Sequence, residues 1–187
     1  GYTVGASYLL DQGFIGFSFG QMDRDYGVPG HSHGEDEHEE EHEEDHEEAE
    51  ALTKAKLKQD RFQLLSDLSF IDEFISRISS KFAYTDYQHQ EIENGQVGTE
   101  FNNDMIEARV DVYHAEFGGW KGAWTFHYKQ SDFEAVGDEA FTPPSTTESL
   151  AFAWLEEKHF GDLLLQLGAR IESVEISSDA YAMDAHE

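Results

Sequence analysis

The residues whose types and spacing are best suited to chemistry lie in the stretch HEEEHEEDHEE, which runs from His38 to Glu48. It contains the pattern His-Glu-x-x-His twice in overlap, with histidines at 38, 42 and 46. On a helix, histidines four residues apart share one face and can bind zinc, while the adjacent glutamate acts as a general base. That chemistry also needs a third ligand, a substrate cleft and a shielded helix. The sequence indicates none of these, so we expect a chance pattern and no enzyme.

The same stretch is better suited to collecting metal ions. Its imidazoles and the carboxylates between them are the candidate ligands: His31, His33, His38, His42, His46, Glu39 and Glu43. Nitrogen and oxygen ligands without sulfur suit zinc, and nickel and copper at least as well. Dense acidic charge also concentrates cations nearby. We expect weak, multi-site capture of zinc that fades below about pH 6, because only neutral imidazole binds metal. The alternative is a solvated acidic loop.

A second candidate metal cluster lies at the end of a predicted strand and consists of Asp86, His89, Glu91 and Glu93. Strand alternation places His89, Glu91 and Glu93 on one side, where they can pass a metal ion inward from the acidic loop. The alternative, which stays equally open, is that these residues form the polar base of a loop and make hydrogen bonds only. His127 faces the polar side of its strand, where a lone histidine is more often structural. No role is assigned to His114, His159 and His186.

Composition narrows the possible partners. The chain has 187 residues and a net charge of -28, from 40 acidic and 12 basic residues, and it has no cysteine. Nucleic acid is therefore not an expected partner, whereas cations are. Disulfides and thiolate metal sites are excluded. Within the given residues we expect neither a signal peptide nor a transmembrane helix. We expect both ends of the chain to be cuts from a longer protein.

Outside the acidic run, apolar residues recur at every second position. In GAWTFHYKQ, for example, Trp124, Phe126 and Tyr128 alternate with Thr125 and His127. This period is typical of strands with one apolar and one polar face, and it predicts about eight strands. They are long for a soluble sandwich but suited to a tilted membrane crossing.

The predicted connections alternate between short and long. Short turns are expected near residues 11–13, 70–73, 117–119 and 160–161. Long loops are expected near residues 23–55, 88–102 and 132–146. This alternation is typical of outer-membrane β-barrels. Charged residues on the polar face, such as Arg109 and Asp111, suit a barrel lumen better than a dry core. The fold class predicted is all-β, an antiparallel transmembrane β-barrel segment of about eight strands; the alternative is a soluble antiparallel sheet.

Four stretches in one order carry a resemblance to a known family. They are DYGVPGHSHGEDEHEEEHEEDHEE, YTDYQHQEIENGQVGTEFNN, DFEAVGDEAFTPPSTTESLAFAWLEE and LQLGARIE. Together they resemble TonB-dependent outer-membrane receptors, in the branch associated with zinc uptake. The resemblance implies a barrel of about 22 strands with an N-terminal plug, powered through the TonB complex. Its short turns would be periplasmic and its long loops extracellular.

Under this resemblance, residues 1–187 are a partial barrel domain and residues 27–54 are its His/Glu-rich extracellular loop. The implied partners are a metal ion, outer-membrane lipid and the TonB complex, the last through parts of the parent protein. Two other classes stay open. A small complete eight-strand barrel, acting as an adhesin or surface protein, would pair its first and last strands. A soluble periplasmic metal-buffering protein would need a polar outer face on its strands.

Overall fold

The computed structural model describes residues 1–27, 53–71, 73–93, 95–137 and 140–178. These residues form one antiparallel sheet of eight strands, arranged in chain order. The strands are β1 (Tyr2–Leu10), β2 (Gly13–Gly27), β3 (Lys54–Ser69), β4 (Ile75–Glu93), β5 (Gln96–Phe117), β6 (Trp120–Gly137), β7 (Ser145–Phe160) and β8 (Leu163–Ser178). The predicted all-β fold of about eight antiparallel strands is confirmed. Among the described residues, no helix is long and apolar enough to cross a membrane.

The four predicted short turns are confirmed, and each joins the C-terminal end of an odd-numbered strand to the next strand. At the opposite end of the sheet, the predicted long loop at residues 88–102 is wrong. These residues extend β4 and β5 into one hairpin, in which Gln88 pairs with Asn102. The hairpin turns at Gly95, whose φ of 81° favours glycine. Asn94-Gly95 is a strong sequence signal for such a tight turn.

The register sorts the side chains into two faces, because cross-strand partners point to the same side of a sheet. Phe19, Phe62, Tyr84 and Ile106, for example, are successive partners across β2 to β5. The apolar face is defined by Val4, Phe17, Phe19, Phe62, Leu64, Phe82, Ile106, Phe126, Phe152 and Ile171. The polar face is defined by Ser18, Gln63, Lys81, Glu107, Arg109, His127, Ser149 and Glu172.

The sheet has no apolar core in the part of the chain that is described. Its buried hydrophobic residues there are all alanines: Ala55, Ala83, Ala135 and Ala151. Large side chains of the apolar face remain exposed, with Leu64 at 48 % and Phe126 at 51 %. Aromatic residues pack sideways along this face, as in the Phe19–Phe62 and Phe126–Phe152 pairs, with ring centroids 4.7 and 5.1 Å apart. The apolar face therefore needs a covering medium or partner.

The apolar face ends abruptly towards the hairpin end of β4 and β5. Four aspartates are successive cross-strand partners there and form what we term the aspartate row: Asp60, Asp86, Asp104 and Asp132. Asp60, Asp86 and Asp104 lie two residues beyond Phe62, Tyr84 and Ile106, and Asp132 lies two residues beyond Gln130. Like charges placed directly opposite each other destabilise a sheet unless water or donors screen them. Gln21 and Thr146 supply such donors at the two ends, with bonds of 2.9 Å to Asp60 and 2.6 Å to Asp132.

The sheet is open within the described residues. β1 pairs with β2 alone and β8 with β7 alone, so both outer strands present unpaired backbone groups. Every residue of β1 and β8 is exposed. These eight strands therefore do not close into a barrel among themselves.

Candidate functional site

The acidic, His-rich stretch leaves and re-enters the sheet at one point. The last rung of the β2–β3 ladder joins Gly27 to Lys54, and the rung before it joins Tyr26 to Ala55. Ala55 is also the partner of Glu91 on β4. The ends of the stretch are therefore held beside the second candidate cluster. The predicted ligands within the stretch lie outside the described residues: His31, His33, His38, His42, His46, Glu39 and Glu43.

The structure brings His89 and Glu91 together on the polar face. His89 Nε2 lies 3.9 Å from Glu91 Oε1, and both side chains are about four-fifths buried. The imidazole is held edge-on between Tyr26 and Phe101, at centroid distances of 6.2 and 5.8 Å. Tyr87 Oη lies 3.4 Å from His89 Nδ1. These rings fix the orientation of the imidazole, as outer-shell groups do for metal-binding histidines.

The Nε2 atom of His89 is buried and has no hydrogen-bond partner among the described residues. If Nδ1–H donates to Tyr87 Oη, the Nε2 lone pair points towards the Glu91 carboxylate. A lone pair facing an anion is satisfied by a cation or a proton between them. The geometry therefore suits a two-ligand fragment of a metal site, with nitrogen and oxygen ligands appropriate to zinc.

Two other members of this cluster lie elsewhere. Glu93 follows a register shift between Glu91 and Ile92 and pairs with Gln96 beside the turn. Asp86 belongs to the aspartate row on the opposite face, as strand alternation predicts. No three His, Asp or Glu side chains come together as a metal-holding group in the ranges the structure covers. The metal-binding roles of His89, Glu91 and Glu93 stay predictions.

Several charged residues on the polar face are paired with one another. His127 Nε2 lies 3.0 Å from Glu107 Oε1, so this histidine has a carboxylate partner within the sheet. Arg109 binds Asp111 through both Nε and Nη2, at 2.9–3.1 Å. Thr125 Oγ1 also donates to Asp111, at 2.6 Å. A face with this density of charge is suited to a water-filled environment.

The apolar face holds a histidine–carboxylate pair that the sequence did not reveal. His114 Nε2 lies 2.8 Å from Glu156 Oε1, and the two side chains are 6 % and 13 % exposed. His114 Nδ1 lies 2.6 Å from the Ala115 carbonyl oxygen. Both ring nitrogens thus face oxygen acceptors, and a proton must lie between Nε2 and Oε1. Trp154 Nε1 donates to the same oxygen at 3.3 Å.

Glycine at position 122 makes this pair possible. Gly122 is the cross-strand partner of both His114 and Glu156 and so lies between them. A Cβ at this position would lie 2.5 Å from the Glu156 carboxyl carbon and 2.3 Å from the Leu155 carbonyl oxygen. The missing side chain lets the carboxylate reach across β6. An isolated glycine inside a strand pattern was the available sequence signal, since it marks close approach of another group.

Aromatic rings surround the pair. Phe74 stacks on His114 with centroids 5.7 Å apart, and Trp124 lies 5.5 Å from the same ring. Together with neighbouring rings they line an open pocket of about 370 Å³ at the short-turn end of the sheet. Pockets of this size with few polar groups are typical of small-molecule or headgroup sites.

A comparison with protein-family models finds no match for this chain. The likeness to zinc-uptake receptors therefore rests on the four sequence stretches alone. Independently of that likeness, the structure shows a two-faced sheet and an aromatic pocket around His114 and Glu156. It also shows the pair His89–Glu91 at the hairpin end of the polar face, which we term the rim pair.

Proposed function

We propose that the chain is a membrane-spanning part of an outer-membrane TonB-dependent receptor that captures and imports a metal ion, with zinc as the first candidate. In this proposal the apolar face meets lipid and the polar face lines the lumen. The His/Asp/Glu-rich stretch collects the ion outside the membrane. The single observation that carries the membrane location is the exposed apolar face, which no described residue covers.

The dimensions of the apolar face support this location. Between the aspartate row and the short turns lie residues 61–69 of β3 and 75–85 of β4. A tilted strand needs about 9–11 residues to cross the hydrocarbon layer. Aspartates at one boundary and tryptophans at the other match the polar and aromatic edges of a membrane-spanning band.

The two alternative classes are less well supported. A soluble metal-buffering protein needs a hydrated outer face, whereas Phe62, Phe126 and Phe152 are each more than a third exposed on one face. A patch of this kind on a soluble protein promotes association. A small complete barrel needs β1 to pair with β8, and the described sheet does not join them. Unpaired edges are a liability that further strands remove.

The metal-capture part of the proposal rests on the placement of ligand types. The ends of the His-rich stretch are attached beside Glu91, and His89 lies on the same face. An ion released from the stretch thus meets an imidazole and a carboxylate at the entrance to the polar face. The stretch can therefore pass an ion to a few ordered ligands without one tight site on the surface.

Uptake of radioactive zinc by metal-starved cells tests the proposal. Cells would produce the complete receptor with and without residues 31–48, in the presence of nickel or copper as competitors. We expect receptor-dependent zinc uptake that falls when the stretch is removed. Uptake that survives the deletion would move the essential ligands to His89 and Glu91.

Two matched variants separate the contribution of the imidazole ligands from that of the acidic charge. Replacing the five histidines of the stretch by asparagine keeps every carboxylate, and replacing Glu39 and Glu43 by glutamine keeps every imidazole. Loss of uptake at low zinc only in the asparagine variant would assign capture to imidazole. Zinc uptake equal to that of cells lacking the receptor would contradict the transport proposal.

A further inference from the structure

The pocket around His114 and Glu156 has the chemistry of an ammonium site. The two oxygens of the Glu156 carboxylate differ in their partners. Oε1 accepts from His114 and Trp154, whereas Oε2 is buried and has no hydrogen-bond partner among the described residues. A buried carboxylate oxygen without a donor is costly, and such groups call for a specific partner. The missing partner must supply N–H or O–H groups, and an ammonium group does so with a charge-assisted hydrogen bond.

The walls of the pocket favour a cation as well. Five aromatic residues line it: Phe74, Phe117, Trp120, Trp124 and Trp154. Aromatic faces attract ammonium groups, and tryptophan does so most strongly. The sheet already uses this attraction nearby, since Lys158 Nζ lies 5.6 Å from the Trp120 ring centroid and 5.3 Å from that of Phe160.

Lys158 adds a positive charge beside the carboxylate. It lies two residues from Glu156 on the same strand and face, a separation of roughly 6.5–7 Å along β7. Its Nζ donates to the Gly118 carbonyl oxygen at 2.7 Å, so the side chain is held at the edge of the pocket. A carboxylate followed by an ammonium complements a ligand that carries one positive and one negative group.

We infer that this pocket binds the headgroup of a zwitterionic, amine-bearing phospholipid, with its ammonium group against the aromatic rings beside Glu156, whose Oε2 turns towards it on binding, and its phosphate near Lys158. The inference rests on the proposed membrane location of the apolar face. A primary ammonium fits better than a quaternary one, because only the former donates a hydrogen bond to Oε2. The lipid chains would lie along Trp124, Phe126 and Phe152 towards the middle of the apolar face.

The protein carries its own probe for this site. Its three tryptophans are Trp120, Trp124 and Trp154, and all of them line the pocket. Lipids with brominated chains quench tryptophan fluorescence on contact. The full chain would be reconstituted into phosphatidylglycerol vesicles that contain a small fraction of brominated phosphatidylethanolamine or, separately, of brominated phosphatidylglycerol.

For the unmodified chain we expect half-maximal quenching at a mole fraction about threefold lower for the ethanolamine lipid than for the glycerol lipid. Glu156→Gln should reduce this preference to parity. Glu157→Gln is the matched control, since Glu157 lies on the polar face, where it accepts from Gln166 at 3.1 Å. It should retain the preference.

Three results would overturn the inference, and they can be distinguished. Equal quenching of the unmodified chain by both brominated lipids would leave the membrane location standing and remove the headgroup site. A preference that survives Glu156→Gln would also remove it. Quenching by neither lipid would contradict the membrane location itself, together with the inference built on it. The comparison of the two brominated lipids uses only the unmodified chain, so it does not depend on whether a variant folds.

Discussion

Gly27 and Lys54 are cross-strand partners at the last rung between β2 and β3. The chain between them therefore begins and ends at almost the same place, because cross-strand partners are about 4.5–5.5 Å apart. A connection of this kind can be shortened without straining the sheet, since the entropy of closing a loop changes slowly with its length.

Removal of residues 31–48 should therefore leave the sheet intact and remove most zinc binding. We expect the β-sheet signal in far-ultraviolet circular dichroism to be unchanged and the number of zinc ions bound, measured by calorimetry, to fall to one or none. Replacing the five histidines by asparagine should have the same effect on zinc. A deletion that binds as many zinc ions as the unmodified chain would contradict the collector role.

Zinc binding to the full chain should weaken in acid. The unperturbed pKa of histidine is about 6.5, and only neutral imidazole binds a metal ion, so protons compete with zinc below that value. With several histidines involved, we expect apparent affinity at pH 5 to be at least about tenfold lower than at pH 7.5. Calorimetric titration at both values checks this. Unchanged affinity would assign binding to carboxylates alone.

The fold was largely predictable from the sequence, because period-2 alternation is a direct consequence of the pleat. Trp124, Phe126 and Thr125 fall on the faces that alternation assigns to them. The hairpin at residues 88–102 was missed because most of its residues are polar, and its three apolar residues, Ile92, Val97 and Phe101, do not form a continuous apolar face. Backbone hydrogen bonds extend the ladder there without help from an apolar face, and Gly95 closes it.

The rim pair was predictable and the pocket pair was not. His89 and Glu91 lie two residues apart on one strand, so alternation alone brings them together. His114 and Glu156 are 42 residues apart and meet only through the register of three strands. That register shifts between His114 and Phe117, an irregularity that no local pattern in the sequence indicates.

Substitutions at the rim should distinguish ligands from neighbours. In the chain lacking residues 31–48, we expect His89→Asn and Glu91→Gln each to lower residual zinc affinity by about tenfold or more, because each removes a ligand. Asp86→Asn is the matched control and should change affinity little, since Asp86 lies in the aspartate row on the opposite face. Equal effects of all three variants would indicate general electrostatics instead of a site.

A pair of adjacent substitutions tests which face meets lipid. Leu64 lies on the apolar face beside Phe17 and Phe82, whereas Gln63 lies on the polar face. An arginine that faces lipid near the middle of the membrane costs about 2–4 kcal/mol, while one that faces the lumen costs little. We therefore expect Leu64→Arg, but not Gln63→Arg, to lower the free energy of unfolding from vesicles in a urea titration. Similar values for both variants would contradict the assignment of faces.

Space at Gly122 should be essential to the histidine–carboxylate pair. A Cβ there would come within 2.5 Å of the Glu156 carboxyl carbon, so Gly122→Ala should push the carboxylate away from His114. Overpacking of this kind costs about 1–3 kcal/mol. Gly168→Ala is the control, because its Cβ would meet Leu155 Cδ1 at an ordinary 3.4 Å. Urea unfolding followed by tryptophan fluorescence should show the loss for Gly122→Ala only; equal stability of the two variants would mean that Glu156 reaches His114 by another route.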